Sequence, residues 1–191
     1  MKITIKRYTT EPEVKEALID YHVDLEDATL LEILTNIKNK QDATLTFSSG
    51  CRSSICGSCA MRVNGTEVLA CAYKPRDGDT IEPLRNMPVI RDLVVDVEKA
   101  QKFNTIARAW SSENNTNINV TPQDEKSNEL QSDCILCGSC YSACPVYAVN
   151  ENFIGPFALT RNWRYVTDVR EQDVQEKIEA VQSNGIWDCT L

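Results

Sequence analysis

Histidine is almost absent from this chain: one residue, His22, among 191. That scarcity removes most zinc-enzyme schemes and most histidine general-base schemes, which need imidazole as ligand or proton carrier. His22 falls in a segment that reads as a strand, remote in sequence from every cysteine, and is expected to be an ordinary surface or half-buried residue. Long apolar runs are missing too. The uncharged stretch 134–150 is too short, too polar and too full of cysteine to cross a membrane, so any membrane association is expected through a partner chain. Met1–Arg7 alternates apolar and charged residues, which fits neither a signal peptide nor a transit peptide. There is no basic excess. With 20 Lys and Arg against 28 Asp and Glu, the formal charge is −8, which argues against nucleic acid or an anionic lipid surface as partner. No internal repeat is visible.

What remains is the composition of a soluble globular protein, 42% apolar and 25% charged, long enough for one large domain or two small ones. Residues 2–7 show the period-2 pattern of a strand, and Ala17–Val23 can pair with them. Asp27 is the expected cap of a short helix with Leu30, Leu31, Leu34 and Ile37 on one face. Thr44–Phe47 reads as a strand leading into a cysteine loop, Met61–Val68 as a hairpin turning at Asn64-Gly65, and Thr80–Glu82 as a further strand. Strands around one helix fit a β-grasp-like sheet with the cysteine loop at one edge. From about Arg91 the period changes. Leu93, Val94, Val97, Ala100, Phe103 and Ile106 recur at helical spacing. Residues 111–119 read as a polar loop, and 124–131, the segments after Cys144 and 168–183 as helices, the last stopping at Asn184-Gly185. A mixed N-terminal domain over 1–97 and a helical domain over 98–191 are therefore expected.

Nine cysteines in 191 residues need an explanation, and their grouping supplies it. An odd count with no secretory signal does not suggest a disulfide framework. The first group is Cys51, Cys56 and Cys59, with Cys71 following: the C-x4-C-x2-C…C spacing of plant-type 2Fe–2S proteins. Three thiolates converging from one loop force the backbone to curl round the cluster with its N–H groups aimed at sulfur. Gly50 and Gly57 would permit that curl through positive φ and close backbone approach. A four-cysteine zinc site is the bland alternative, but zinc sites usually draw on two C-x2–4-C pairs. Ser53, Ser54 and Ser58 lie in the same loop. They are either solvated loop serines or donors to sulfur that raise the cluster potential.

The second group, Cys134, Cys137, Cys140 and Cys144 followed by Pro145, is the C-x2-C-x2-C-x3-C-P run of bacterial ferredoxins. There the first three cysteines hold one 4Fe–4S cluster and the fourth ligates a different one. Cys134, Cys137 and Cys140 leave that cluster one thiolate short, and Cys144 with Cys189 makes only two ligands for a third cluster. A further cysteine run is needed, and the sequence ends where it would begin, so either the chain is a fragment, which is the expectation, or the remaining ligands come from elsewhere.

The order of these signatures resembles the iron–sulfur subunit family of fumarate reductase and succinate dehydrogenase, and most closely its fumarate reductase branch. The resemblance runs through Cys51–Cys71, Arg91–Asp96, Asn117–Pro122, Cys134–Pro145, Phe153–Pro156 and Gly185–Thr190. It implies an α+β chain: an N-terminal β-grasp 2Fe–2S ferredoxin-like domain followed by an all-α 4Fe–4S ferredoxin-like domain, here incomplete. It also implies an FAD-bearing flavoprotein partner that interconverts fumarate and succinate, and a quinone-binding membrane anchor. Single electrons would pass between them through the 2Fe–2S cluster, the 4Fe–4S cluster and a third cluster, 3Fe–4S or 4Fe–4S, with no substrate-converting site on this chain. The implied location is peripheral, on the cytoplasmic face of a bacterial inner membrane. Alternatives are the iron–sulfur subunit of another quinone-linked dehydrogenase, a free-standing ferredoxin, or a zinc-stabilised interaction module.

Overall fold

A computed structural model describes residues 1–9, 13, 15–112, 117–150 and 152–190. The chain divides into two compact units, one formed by Met1–Val97 with Ile135–Ala143, the other by Glu98–Cys134 with Cys144–Leu191. Within the polar loop expected over 111–119, residues 113–116 lie outside the described ones.

The first unit is built on a five-stranded sheet. Strands β1 (Lys2–Thr9), β2 (Lys15–His22), β3 (Ala60–Val63), β4 (Thr66–Leu69) and β5 (Thr80–Glu82) lie in the order β2-β1-β5-β3-β4. β1 runs parallel to β5, and the other pairings are antiparallel. The alternation of β1 puts Ile3 and Ile5 fully inside. Helix α1 (Leu30–Lys40) buries Leu30, Leu31, Ile33, Leu34 and Ile37 in the same core with Leu45, Met61 and Ile81. Each such aliphatic side chain contributes roughly 1.5–3 kcal/mol of burial. The helix starts at Thr29 and not at Asp27: Thr29 and Glu32 form a reciprocal capping box, while Asp27 pairs with Lys74. Two further N–H groups of the first turn are satisfied by the chain that follows β4, Leu30 donating to the Tyr73 carbonyl at 2.8 Å and Leu31 to that of Ala70 at 2.9 Å. Those bonds fix the turn that carries Cys71.

The hairpin forms as expected, with Asn64 and Gly65 at φ 50° and 85°, the left-handed pair a primed turn requires. Thr44–Phe47 is not a strand. Its backbone is used instead by Asp92, whose carboxylate accepts from Thr46 N at 2.8 Å, Tyr8 N at 3.0 Å and the Arg7 guanidinium through Nε at 2.9 Å and Nη2 at 3.1 Å. Val94–Val95 is also strand, not helix: as β7 it pairs with β6 (Val89–Arg91). The sequence period misled here because only the second part of that apolar series turns helical.

In the second unit α2 (Glu98–Ile106), α3 (Pro122–Ser132) and α7 (Val174–Gln182) surround α6 (Gly155–Val166). Phe103 meets Tyr147 edge to face at 6.2 Å, and Phe153, Ile154, Phe157, Ala158 and Val181 complete the core. α7 is shorter than its apolar stripe suggested: residues 168–173 are turns, with Arg170 folded onto Asp168. At the centre Lys177 is fully buried, beside the equally buried carboxylate of Glu171 at 3.5 Å, and donates to the Arg108 and Trp110 carbonyls. Asn162, also buried, donates to the carbonyls of Ala107 and Lys177. Polar groups so enclosed are tolerated because each has its partner. Among the described residues no helix is long and apolar enough to cross a membrane.

Candidate iron–sulfur centres

The loop between α1 and β3 presents Cys51, Cys56 and Cys59, and the turn after β4 presents Cys71. Sulfur is the focus of the loop's backbone. Cys51 Sγ accepts from the N–H groups of Ser53, Ile55 and Cys56, each at 3.3 Å. Cys56 Sγ accepts from Cys51 N at 3.2 Å, and Cys71 Sγ from Ser54 N at 3.3 Å. N–H dipoles turned inward favour negative charge on the sulfurs, the state in which thiolates bind iron. The curl that achieves this uses Arg52 and Ser54 in the left-handed region, at φ 59° and 61°. Non-glycine residues held there cost of order 1–3 kcal/mol each. Sequence reasoning placed that burden on glycine. Gly57 does share it at φ 72°, whereas Gly50 serves by its missing side chain: a Cβ there would stand 2.7 Å from Cys56 Sγ.

Hydrogen bonds and burial set Cys56, Cys71 and Cys59 apart chemically. The Ser58 hydroxyl, then the Cys51 and Ser58 N–H groups, lower the Cys56 thiol to about 6. Burial opposes ionisation of Cys71, but bonds from the Ser54 hydroxyl and the Cys59 side chain outweigh it and hold that thiol below its ordinary value. Burial pushes the Cys59 thiol up. Of the three loop serines, Ser58 and Ser54 therefore address sulfur, Ser54 Oγ lying 3.6 Å from Cys71 Sγ, whereas Ser53 Oγ donates to the Cys51 carbonyl.

Among the described residues no three or more Cys, His, Asp or Glu side chains close round a single point. The thiols are paired, Cys51 with Cys56 and Cys59 with Cys71. Two neighbouring pairs of thiols are the donor set of a centre with two irons and bridging sulfides, so the residues fit a 2Fe–2S cluster.

The comparisons with known proteins agree. Residues 2–102 match the family model of the 2Fe-2S iron-sulfur cluster binding domain, and residues 130–191 that of the 4Fe-4S dicluster domain. The fumarate reductase iron-sulfur subunit of Escherichia coli O6:H1 is 38% identical over 100% of this chain and 82% of its own length. The chain belongs to the fumarate reductase/succinate dehydrogenase iron–sulfur subunit family. The 8-methylmenaquinol:fumarate reductase iron-sulfur subunit of Wolinella succinogenes is 36% identical over 99% of this chain and 64% of its own. Among solved structures, a chain of the Mycobacterium smegmatis Sdh1 complex in the apo form is similar with a TM-score of 0.85. It is 25% identical, over 99% of this chain and 83% of that one. Like its family, the chain is an iron–sulfur electron-transfer subunit with a 2Fe–2S and a 4Fe–4S domain, and its α+β fold is the one expected.

The second cysteine group divides between the two units. Cys137 and Cys140 belong to the first, Cys134 and Cys144 to the second. Leu136 at φ 58° and Gly138 at φ 78° bend the chain round Cys137, whose thiol donates to Ser139 Oγ at 3.3 Å, and helix α4 (Ser139–Ala143) carries Cys140. That helix is clamped to the hairpin. Fully buried Ser142 donates to Glu67 Oε1 at 2.7 Å and accepts from Arg85 N at 2.9 Å, while Asn86 Nδ2 donates to the Tyr141 and Ser142 carbonyls. No sequence motif announced this clamp, because its members are ordinary polar residues far apart in the chain.

Within the second unit Cys134 follows α3, and Cys144 caps α5 (Pro145–Val149), its sulfur accepting from Tyr147 N at 3.4 Å. Cys189 follows the 3-10 turn Ile186–Asp188, which Gly185 enters at φ 100°. Asn150 Nδ2 donates to Asp188 at 3.1 Å, so the segment carrying Cys189 lies beside the helix that Cys144 starts. A shallow cleft of about 360 Å³ between them is lined by Pro145, Val146, Val149 and Thr190.

Proposed function

We propose that this chain relays single electrons between an FAD-bearing flavoprotein that interconverts fumarate and succinate and a quinone-binding membrane anchor. In this reading Cys51, Cys56, Cys59 and Cys71 hold the 2Fe–2S cluster, and Cys134, Cys137 and Cys140 supply thiolates to the 4Fe–4S cluster. Cys144 and Cys189 contribute to a third cluster. The β-grasp domain spans 1–97 and the helical domain 98–191, and the subunit sits peripherally on the cytoplasmic face of a bacterial inner membrane. The observation that carries the reading is the set of loop N–H groups aimed at the sulfurs of Cys51, Cys56 and Cys71. The clusters, when bound, supply the one-electron chemistry. The protein's part is to hold the thiols apart in pairs, to stabilise their negative charge and to fix the cysteine loops in place. No proton-transfer group is required of this chain.

The test is an anaerobically purified complex assayed for fumarate reduction with a reduced dye and for succinate oxidation with a quinone. Activity in both assays that is lost in Cys56→Ala, while the flavin stays bound, supports the relay. A complex that reduces a different substrate and neither of these assigns the chain to another quinone-linked dehydrogenase.

A further inference from the structure

We propose that Gly57 is a positioning residue for electron transfer, the point at which the loop of the first cluster touches the loop of the second. The inference rests on the ligand assignment above and deepens it. Gly57 stands between Cys56 and Cys59, and its backbone is at φ 72°. A Cβ added there would lie 2.7 Å from Cys137 Cβ, 2.9 Å from Cys137 Cα and 3.0 Å from the Ile135 carbonyl oxygen. All these residues belong to the first unit. The main chain next to one ligand thus rests directly on the main chain of another, with only a glycine hydrogen between them.

Neither side can yield cheaply. The Gly57 carbonyl is bonded to Ala60 N at 3.1 Å, where β3 begins. Past Cys137, α4 is fixed by Ser142 to Glu67 and by Asn86 to the Tyr141 carbonyl. The atoms that a side chain would meet are backbone and Cβ, not the far end of a flexible side chain. This sets Gly57 apart from the other glycines in the same backbone region. A Cβ on Gly138 would meet only the side-chain ends of Met87 and Leu84, at 3.5–3.7 Å, and one on Gly78, at φ 85°, would meet nothing within 4 Å. Ordinary contact begins near 3.4 Å, so an alanine at position 57 must push the two loops apart by several tenths of an ångström.

Electron tunnelling falls steeply with distance and is least hindered across bonded or touching atoms. With both clusters bound, the step they would supply is a one-electron transfer in which the donor would be oxidised and the acceptor reduced, with no change of bond or proton. A glycine that brings a ligand-bearing loop onto the Cys137 backbone shortens the gap for that electron without taking part in ligation.

The experiment uses the assembled complex, prepared anaerobically, with Gly57→Ala beside Gly78→Ala as a control for left-handed backbone strain. Iron and sulfide per chain report assembly. The spin-relaxation enhancement of the 2Fe–2S EPR signal by the reduced 4Fe–4S cluster, and the rate of electron redistribution after flash reduction, report communication. Gly57→Ala is expected to keep both clusters, weaken the enhancement and slow redistribution several-fold, while Gly78→Ala changes neither. Unchanged enhancement and rate in a fully loaded Gly57→Ala complex would overturn the proposal. Should that variant lose iron, the wild-type complex decides: a 2Fe–2S signal whose relaxation ignores the reduced 4Fe–4S cluster refutes the contact, and one that responds upholds it. Cys137→Ala, run in parallel, loses the 4Fe–4S signal if the ligand assignment is right; an intact signal there would sink that assignment separately.

Discussion

The Ser142 hydroxyl donates to Glu67 Oε1 at 2.7 Å while Arg62 Nε donates to the same oxygen at 3.0 Å, so one carboxylate in the β3–β4 hairpin holds the helix that carries Cys140. Ser142→Ala removes the bond to Glu67 and also the acceptor of Arg85 N. Arg85 is exposed, so water can replace that acceptor, and each hydrogen bond lost costs about 0.5–1.5 kcal/mol. In urea, followed by the visible absorbance of the clusters, Ser142→Ala is expected to lower the midpoint of cluster loss, with 4Fe–4S iron released first. An unchanged midpoint would mean that the clamp does not support this loop.

The three serines of the first loop should behave differently. A hydroxyl donating to a thiolate stabilises the reduced cluster and raises its potential. Ser58 and Ser54 address sulfur, whereas Ser53 addresses a carbonyl. EPR-monitored redox titration is therefore expected to find lower 2Fe–2S potentials in Ser58→Ala and Ser54→Ala and an unaltered one in Ser53→Ala. Equal potentials in all three variants would exclude hydroxyl tuning.

Acid stability should depend on Asp42. Hydrogen bonds from Thr44, then Tyr21 and Arg7, hold its carboxyl far below the usual aspartate value. A depressed folded value stabilises the protein above the unfolded value, about 3.9, and that contribution is lost as pH falls below it. Asp42→Asn is expected to be less stable than wild type at neutral pH, with the difference shrinking as the pH drops through 4 and below. Thermal midpoints across that range measure it. A difference that stays constant with pH would contradict the linkage.

In the helical unit, Lys177 and Glu171 form a pair that is all but inaccessible to water. Removing one member of a buried pair typically costs about 3–5 kcal/mol, because the other is left charged without compensation. Lys177→Met is expected to destabilise this unit by that order, measured by denaturant unfolding with tryptophan fluorescence. Trp110 is the local probe, since the ammonium lies 5.6 Å from its ring centroid. A loss below about 1 kcal/mol would show that the pair contributes little net stability.

Much of this was legible beforehand wherever the chemistry is local. The hairpin followed from Asn64-Gly65 and the first strand from the alternation of Ile3 and Ile5. The cysteine groups declared themselves by spacing alone. Signals failed where a distant partner decides. Thr44–Phe47 has strand character, but the Thr46 N–H and carbonyl answer to Asp92 and Leu93 and the N–H groups of Thr44 and Leu45 to Asp42, so no ladder forms. Val94 and Val97 continue the spacing of α2, yet Val94 pairs with Arg91. Asp27 is a good capping residue, but Thr29 has Glu32 three positions on and takes the role. The left-handed backbones of Arg52 and Ser54 could not be read at all, because neither residue type favours that region and only the geometry of the sulfurs holds them there.

The central claim, that the paired thiols of Cys51, Cys56, Cys59 and Cys71 hold a two-iron redox centre, is tested most directly by one experiment. The chain is purified without oxygen, its iron, sulfide and zinc are counted, and its EPR spectrum is taken after dithionite reduction. The account predicts a rhombic 2Fe–2S signal, sulfide and no zinc, with the signal abolished in Cys56→Ala. Zinc without sulfide, in protein never exposed to air, would contradict it and leave a structural module in place of an electron carrier.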